Sequence, residues 1–185
     1  MACDSISRFS KPACKGGFLI EMITAAFLGL SSCTSVSVSR NLPPPSQDGK
    51  SLAGRVMQEA NRVRGSNSLR SLPSSSALEN AAETHARFLV ANVPTGKPMP
   101  KSIVHCDFPT RSTTVMRANS MSLSAEIVVA MPPGMTSPSA VVAAWLGSPG
   151  HRAKLLGTWD LTGVGAAKAP DGTWYVVQWF GNSRH

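Results

Sequence analysis

The last strand-like segment of the chain, residues 173–180 (TWYVVQWF), places the strongest constraint on its fold. The residues before it, 163–169, are separated from it by Pro170-Asp171-Gly172, a pattern that predicts an antiparallel hairpin. Alternate side chains of a strand point to opposite faces, and here both sets are apolar: Trp174, Val176 and Phe180 on one face, and Tyr175, Val177 and Trp179 on the other. Both faces must therefore be covered by helices. This predicts an α+β fold, a three-layer α-β-α sandwich around a small antiparallel central sheet.

Apolar spacing and start signals predict the helices of this sandwich. A first amphipathic helix is predicted over residues 51–65, and a second, from a capping box at Ser76 and Glu79, runs to Pro94. Ser137-Pro138 and Ser148-Pro149 predict the starts of two more helices, ending near residues 147 and 156. Residues 96–124 show no sustained period and are interpreted as long loops with short elements. At 185 residues, the chain has room for one such domain, over residues 51–182.

Residues 1–32 are interpreted as an export leader. Three bases precede an apolar run over residues 16–30, which is shorter than the stretch of about 20 residues that spans a bilayer. Glu21 inside this run is costly to insert. The run ends in Leu30-Ser31-Ser32-Cys33, which resembles the lipobox of bacterial lipoproteins and predicts lipidation of Cys33. Ordinary cleavage nearby, which would leave a secreted protein, is the alternative.

Residues 33–50 are rich in serine and proline and predict an extended tether between leader and domain. The cysteine distribution agrees with an export leader, since Cys106 is the single cysteine after residue 33 and the domain therefore holds no internal disulfide. We interpret Cys106 as a buried, small apolar residue.

The chain is basic, with a net charge of +8, and removal of the three bases and two acids of the leader leaves +7. The bases are spread along the domain and no nucleic-acid-binding motif is present, which argues against a nucleic-acid partner. We interpret the charge as affinity for anionic envelope polymers or lipid head groups, or else as a solvated surface.

A series of short motifs is spread over residues 52–181. The motifs are Asn61-Arg62, Ala82-Glu83-Thr84-His85-Ala86, His105, Ala125-Glu126, Trp145-Leu146-Gly147-Ser148-Pro149-Gly150-His151-Arg152, Gly163-Val164-Gly165 and Val177-Gln178-Trp179-Phe180-Gly181. Their order resembles the CAP superfamily (cysteine-rich secretory proteins, antigen five and plant pathogenesis-related proteins), in its shorter bacterial branch. The resemblance implies an α-β-α sandwich with a cleft of two histidines and two acidic residues, in which some members bind a divalent metal.

Three of the four cleft positions are matched, by His105, Glu126 and His151. Ser148 stands at the second acidic position and Ile127 stands where members often have Asn, so the sequence departs from an intact tetrad. His105 and His151 offer two nitrogen ligands to zinc or another divalent metal, with Glu126 as a candidate third, whereas tight zinc sites have three or four protein ligands. Glu126 beside an imidazole is alternatively the arrangement of a general base, and a buried polar network is the third interpretation.

Other polar residues receive structural interpretations. His85 lies in the apolar stripe of the second helix and is interpreted as a core histidine, and Ser148 as a helix cap. Trp145 is expected in the core and Arg152 on the surface or paired with a carboxylate. Asn61 and Arg62 are expected to tie the first helix to neighbouring loops. Cys106 next to His105 in sequence does not indicate a catalytic pair.

Three functional hypotheses follow for an exported, membrane-anchored or secreted protein. The first is a ligand-binding module that holds a lipid, glycan or metal in the cleft of His105, Glu126 and His151. The second is a hydrolase of peptide or ester bonds with His105 or His151 as general base, assisted by Glu126. The third is an interaction protein that uses its basic surface. The absence of a recognisable nucleophile favours the first.

Overall fold

A computed structural model describes residues 41–184 of the chain. The leader, the lipidation residue Cys33 and the tether up to residue 40 lie outside the described residues. Within them the order of elements is α1 (Gln47–Ser66), α2 (Ser76–Asn92), α3 (Lys101–Val104), α4 (Phe108–Ala118), β1 (Met121–Met131), α5 (Pro138–Leu146), α6 (Pro149–Leu155), β2 (Leu161–Lys168) and β3 (Trp174–Ser183). No helix among residues 41–184 is long and apolar enough to cross a membrane.

The three strands form one antiparallel sheet in the order β1-β3-β2, with the hairpin strand β3 at the centre. Val176 and Phe180 of β3 pack with α1, α5 and α6 on one face. Tyr175, Val177 and Trp179 pack with α2, α3 and α4 on the other. The predicted three-layer sandwich with two apolar faces is confirmed.

Two glycines of β2 let α2 lie directly on the sheet. A Cβ on Gly163 would lie 2.2 Å from the backbone nitrogen of Glu79, and one on Gly165 would lie 2.1 Å from that of Glu83. Because such distances are far inside van der Waals contact, any side chain here would push the helix off the sheet.

The helix starts differ from the predictions at two places. α1 begins at Gln47, capped by the Ser46 hydroxyl, which accepts from the Gly49 N–H at 3.0 Å, so residues 47–50 of the predicted tether are helical. The capping box at Ser76 is wrong, because Ser76 is already helical and Ser75 occupies the N-cap without a side-chain hydrogen bond. The predicted cap at Ser137 is confirmed, since its hydroxyl accepts from the Ala140 N–H at 3.1 Å.

The interpretation of residues 96–124 as long loops with short elements underestimated the regular structure of this segment. This segment contains α3, the eleven-residue α4 and the start of β1. In α4, the hydroxyls of Thr113 and Thr114 bond to carbonyls four residues earlier, which is why a threonine-rich sequence carries no clear helical signal. The helix is stabilised instead by tertiary packing of Phe108 and Val115 on the sheet.

Candidate functional site

Glu126 of β1 lies at the centre of a buried cluster of polar side chains. Its side chain is 1% exposed. The Trp179 indole N–H donates to Oε2 at 2.7 Å, and Arg111 donates to Oε2 at 2.8 Å and to Oε1 at 3.1 Å. His105 Nδ1 lies 2.9 Å from Oε1. The lone pairs of this carboxylate are therefore engaged by the protein itself.

The charge of Glu126 is held by these partners. Burial would by itself raise the pKa of this carboxyl, but the hydrogen bonds from His105 and Arg111 outweigh burial and lower the pKa to about 2. Glu126 is thus an anion at every physiological pH. A carboxylate in this state neither donates a proton nor accepts one near neutral pH.

Arg111 of α4 is the member of the cluster that the sequence did not predict. Its guanidinium lies 5.7 Å from the ring centroid of Phe108 and 5.4 Å from that of Trp179, so it is stacked as well as ion-paired. Its Nε also donates to the Cys106 carbonyl at 2.9 Å. Arg111 follows Phe108 at the three-residue spacing of one helix face, a signal that appears only once α4 is known to be helical.

His105 follows α3 and forms the solvent-facing side of the cluster. Because Glu126 is ionised, Nδ1 carries a proton and donates it to Oε1, which leaves Nε2 free of the carboxylate. The side chain is 42% exposed, so this histidine is reachable from solvent. The structure therefore brings together two predicted site residues, His105 and Glu126.

His151 lies in the first turn of α6, half-buried. Burial lowers the pKa of His151, and the charges of Lys154 and His105 lower it further. Lys154 connects α6 to β1, since its Nζ donates to the Glu126 backbone carbonyl at 3.3 Å. No hydrogen bond joins His151 to Glu126 among the described residues. His151 is thus a neighbour of the cluster and not one of the ligands of its carboxylate.

His85 is a core residue, as predicted, but it also borders the cluster. It is 2% exposed, and its Nε2 donates to the Val104 carbonyl at 2.7 Å and lies 3.8 Å from Glu126 Oε1. Burial lowers the pKa of His85 despite the nearby carboxylate. It is therefore a neutral structural donor that fixes the loop carrying His105.

The donor set does not fit a tight divalent-metal site. His105 and His151 are the residues that would hold a metal, but Glu126, the candidate third ligand, is occupied by Arg111 and Trp179. Residues 41–184 contain no group of three His, Cys, Asp or Glu side chains placed to hold a metal ion. Two imidazoles fall short of the three or four protein ligands of stable zinc sites.

Neither Ser148 nor Cys106 has the partner that would make it a nucleophile. Ser148 occupies the N-cap position of α6, as predicted, but its side chain makes no capping hydrogen bond. Cys106 is half-buried rather than buried and borders a cavity of about 220 Å³ together with Leu42 and Phe88. Within the described part of the chain, no imidazole forms a hydrogen bond with either side chain.

Several residues of the motifs have structural roles. Asn61 ties α1 to the next loop, as predicted, through two hydrogen bonds to the Leu72 backbone at 3.0 and 2.9 Å. Arg62 instead pairs with Glu59 of its own helix at 2.7 Å. The buried Arg64 makes the longer connection, donating to the carbonyls of Leu155 and Gly157 at 2.8 Å each. Trp145 is fully buried and Arg152 is exposed, both as predicted.

The family model of the CAP domain, the cysteine-rich secretory protein family, matches residues 57–180, more than half of the chain. The chain belongs to this CAP family. The matched range contains the whole cluster around Glu126 together with His151. No curated protein matches the chain.

Solved structures of bacterial CAP proteins have the same fold. An outer surface protein of Borrelia burgdorferi is 24% identical, with a TM-score of 0.56 over 73% of this chain and 95% of that one. An extracellular SCP-domain protein of Bacillus anthracis is 19% identical, with a TM-score of 0.55 over 76% of this chain and 45% of that one. A cysteine-rich secretory protein of Staphylococcus aureus is 16% identical, with a TM-score of 0.52 over 75% of this chain and 40% of that one. This CAP chain spans less than half the length of the latter two.

Proposed function

We propose that this CAP protein is an exported ligand-binding module whose cleft holds an acidic group of an envelope lipid or glycan through His105 and His151, without catalysis. The observation that carries the proposal is the engagement of Glu126 by His105, Arg111 and Trp179. A carboxylate held this way orients a binding site. It does not serve as a general base or as a free metal ligand.

The exposed side chains around Glu126 carry nitrogen donors and therefore favour an anionic ligand. The negative charge of Glu126 is balanced by Arg111 inside the protein. His105, His151 and Lys154, all at least partly exposed, therefore offer imidazole and ammonium nitrogens to a ligand. Hydrogen bonds from such donors to phosphate or carboxylate oxygens are charge-assisted and strong.

Sequence and fold neighbours support the export of this protein. The leader of residues 1–32 and the lipobox at Cys33 favour a lipoprotein held at the membrane by a tether, and cleavage without lipidation would give a secreted form. The Borrelia neighbour is an outer surface protein and the Bacillus neighbour an extracellular one. Either location would place the cleft near acidic envelope lipids and glycans.

Nuclear magnetic resonance of the histidine rings tests the proposed ligand class. Glycerol phosphate represents a lipid head group and a hexose phosphate represents a glycan, and each is titrated into the full chain. We expect saturable shifts of the His105 and His151 ring signals with one of these probes, while the buried His85 serves as the internal control. Titrations that leave both cleft histidines unmoved would contradict the proposal.

A hydrolase that activates water is the second candidate, and one observation favours it. His105 donates from Nδ1 to an ionised carboxylate, an arrangement that fixes the ring and leaves Nε2 available to accept a proton from water. Hydrolysis of p-nitrophenyl acetate by the wild type, lost in His105→Ala and strongly reduced in Glu126→Gln, would support this alternative. Equal background rates in all three proteins would leave binding as the function.

A further inference from the structure

The free edge of β2 lies on the side of the sheet away from the histidine cleft, because β1 and β2 are the two outer strands. At its start this edge is already extended by the chain itself. Thr162 forms an isolated parallel bridge with Ser74, in which its N–H donates to the Pro73 carbonyl at 3.0 Å and its carbonyl accepts from the Ser75 N–H at 2.8 Å. The pairing stops there because α2 begins at Ser76.

Beyond this bridge, the edge has backbone groups without partners. The backbone groups of Thr162 point away from β3, and since this direction repeats every second residue, those of Val164 and Ala166 point the same way. No hydrogen bond from these outward groups is present among residues 41–184. Val164 is 5% exposed. Unpaired backbone groups at this depth are unusual and are normally satisfied by a partner.

These groups open into a groove of about 300 Å³ between α1 and α2. Gly49 ends the groove, since a Cβ there would lie 2.4 Å from the Ala166 carbonyl oxygen. Gly54 and Met57 of α1 form one wall, and a Cβ on Gly54 would meet no atom within 4 Å. The groove therefore has space for a short segment of backbone beside Val164.

The opposite wall carries negative charge. Glu79 and Glu83 lie one turn apart on α2 and both line the groove, with Lys50 as the one base among the lining residues. Glu79 accepts a hydrogen bond from the Ser74 hydroxyl, and Glu83 has no partner among the described residues. In a chain with a net charge of +8, two carboxylates on one wall favour a basic ligand.

We propose that this groove binds a short, extended, basic peptide, which pairs with the backbone of Val164 and the N–H of Ala166 at the edge of β2 and continues the strand that Ser74 begins. Gly49 covers the Ala166 carbonyl and so sets the end of this pairing. Backbone hydrogen bonds to the edge supply affinity, and Glu79 and Glu83 select a lysine or arginine side chain, as in other cases of β-strand addition. This site is independent of the cleft at His105 and His151.

The test is a titration of the full chain, labelled with ¹⁵N, with an acetylated and amidated Lys-Val-Lys peptide. We expect saturable shifts of the Val164 and Ala166 amide signals. Gly54→Leu should abolish these shifts by filling the groove, whereas Gly65→Leu, at an open site on the same helix, should leave them unchanged. Glu79→Gln/Glu83→Gln should weaken binding at least about tenfold, and Glu59→Gln, outside the groove, should not.

Two results would overturn the proposal. The first is a titration in which the Val164 and Ala166 amides do not move. The second is binding that shifts signals of α2 alone and survives Gly54→Leu, because that would be a surface charge contact without strand addition.

Discussion

Two opposing effects act on the carboxylate of Glu126. Removing an anion from water is costly, and at 1% exposure of the side chain that cost applies in full. The donors of Arg111, Trp179 and His105 offset it by replacing water at both carboxylate oxygens. The cluster is therefore stable as a unit and sensitive to the loss of any one donor.

Substitution of Arg111 tests this interdependence. Arg111→Met keeps the apolar contact with Phe108 and Trp179 but leaves the buried carboxylate without its cationic partner. We expect a loss of about 3–5 kcal/mol in the free energy of unfolding, measured by urea denaturation at pH 7. Arg117→Met, an exposed position on the same helix, is the matched control and should change the stability by less than about 0.5 kcal/mol. Equal effects of the two substitutions would show that the ion pair is not important.

The pH dependence of the unfolding free energy also reports on the charge of Glu126. A carboxyl whose pKa is lower in the folded than in the unfolded state stabilises the fold above its unfolded pKa, and the contribution is lost as pH falls through the folded pKa. For Glu126 this window runs from 4.5 down to about 2 and corresponds to about 3 kcal/mol.

Comparison of wild type with Glu126→Gln between pH 7 and pH 2.5 isolates this contribution. The wild type should lose more unfolding free energy over this range than the variant does. Burial lowers the pKa of His85 and the Glu126 charge raises it, so the acid sensitivity that His85 adds is larger in the variant and works against the expected difference. Parallel curves for the two proteins would contradict the assigned charge state of Glu126.

Among single residues, the sequence predicted His105, Glu126 and His151 as site residues through the family motifs. It predicted the core position of His85 through helical periodicity. It did not predict Arg111, because the segment around it lacks a hydrophobic period. The bonds to Trp179 and Val104 join residues 53 and 19 positions apart, and such pairings depend on tertiary packing that no local pattern encodes.

At the scale of the elements, α2 and β2 pack backbone against backbone. Gly163 and Gly165 allow the helix backbone to lie on the strand, and this packing also forms one wall of the β2 groove. The second helix and the hairpin could be predicted from their apolar periods. α4 could not be, because its threonines bond to the helix backbone and its stability comes from contacts with the sheet.

Gly165→Ala tests the close approach. The added methyl would overlap the backbone of Glu83, so we expect a loss of about 1–3 kcal/mol or more in unfolding free energy. Gly54→Ala is the control. Its added methyl group would contact no other atom, and alanine is the better helix former, so we expect this variant of α1 to be more stable by about 0.5–1 kcal/mol. Thermal denaturation of both variants measures these changes in stability. An unchanged stability of Gly165→Ala would contradict the packing described.

In the whole molecule, the two outer strands of one small sheet border different sites. The β1 edge carries Glu126 with His105 and His151 nearby, and the β2 edge carries the groove between α1 and α2. The sandwich itself follows from the two apolar faces of β3, which is why the architecture could be predicted from sequence. Which site lies at which sheet edge depends on where the helices end, and this could not be predicted from the sequence.

The basic charge of the molecule offers a competing account of any binding to acidic ligands. Exposed bases such as Arg55 and Arg117 attract anions without specific geometry. Such binding weakens as salt rises and does not depend on particular histidines. The proposed cleft binding depends on His105 and His151.

The most direct measurement is calorimetric titration of the full chain with glycerol phosphate and hexose phosphate at pH 5.5 and pH 7.5. It compares wild type, His105→Ala/His151→Ala and the control Arg55→Ala/Arg117→Ala. We predict that one of the two probes binds, more tightly at pH 5.5, to the wild type and to the arginine control, and that this binding is lost in the histidine variant. Binding retained in the histidine variant and lost in the arginine control would contradict the account.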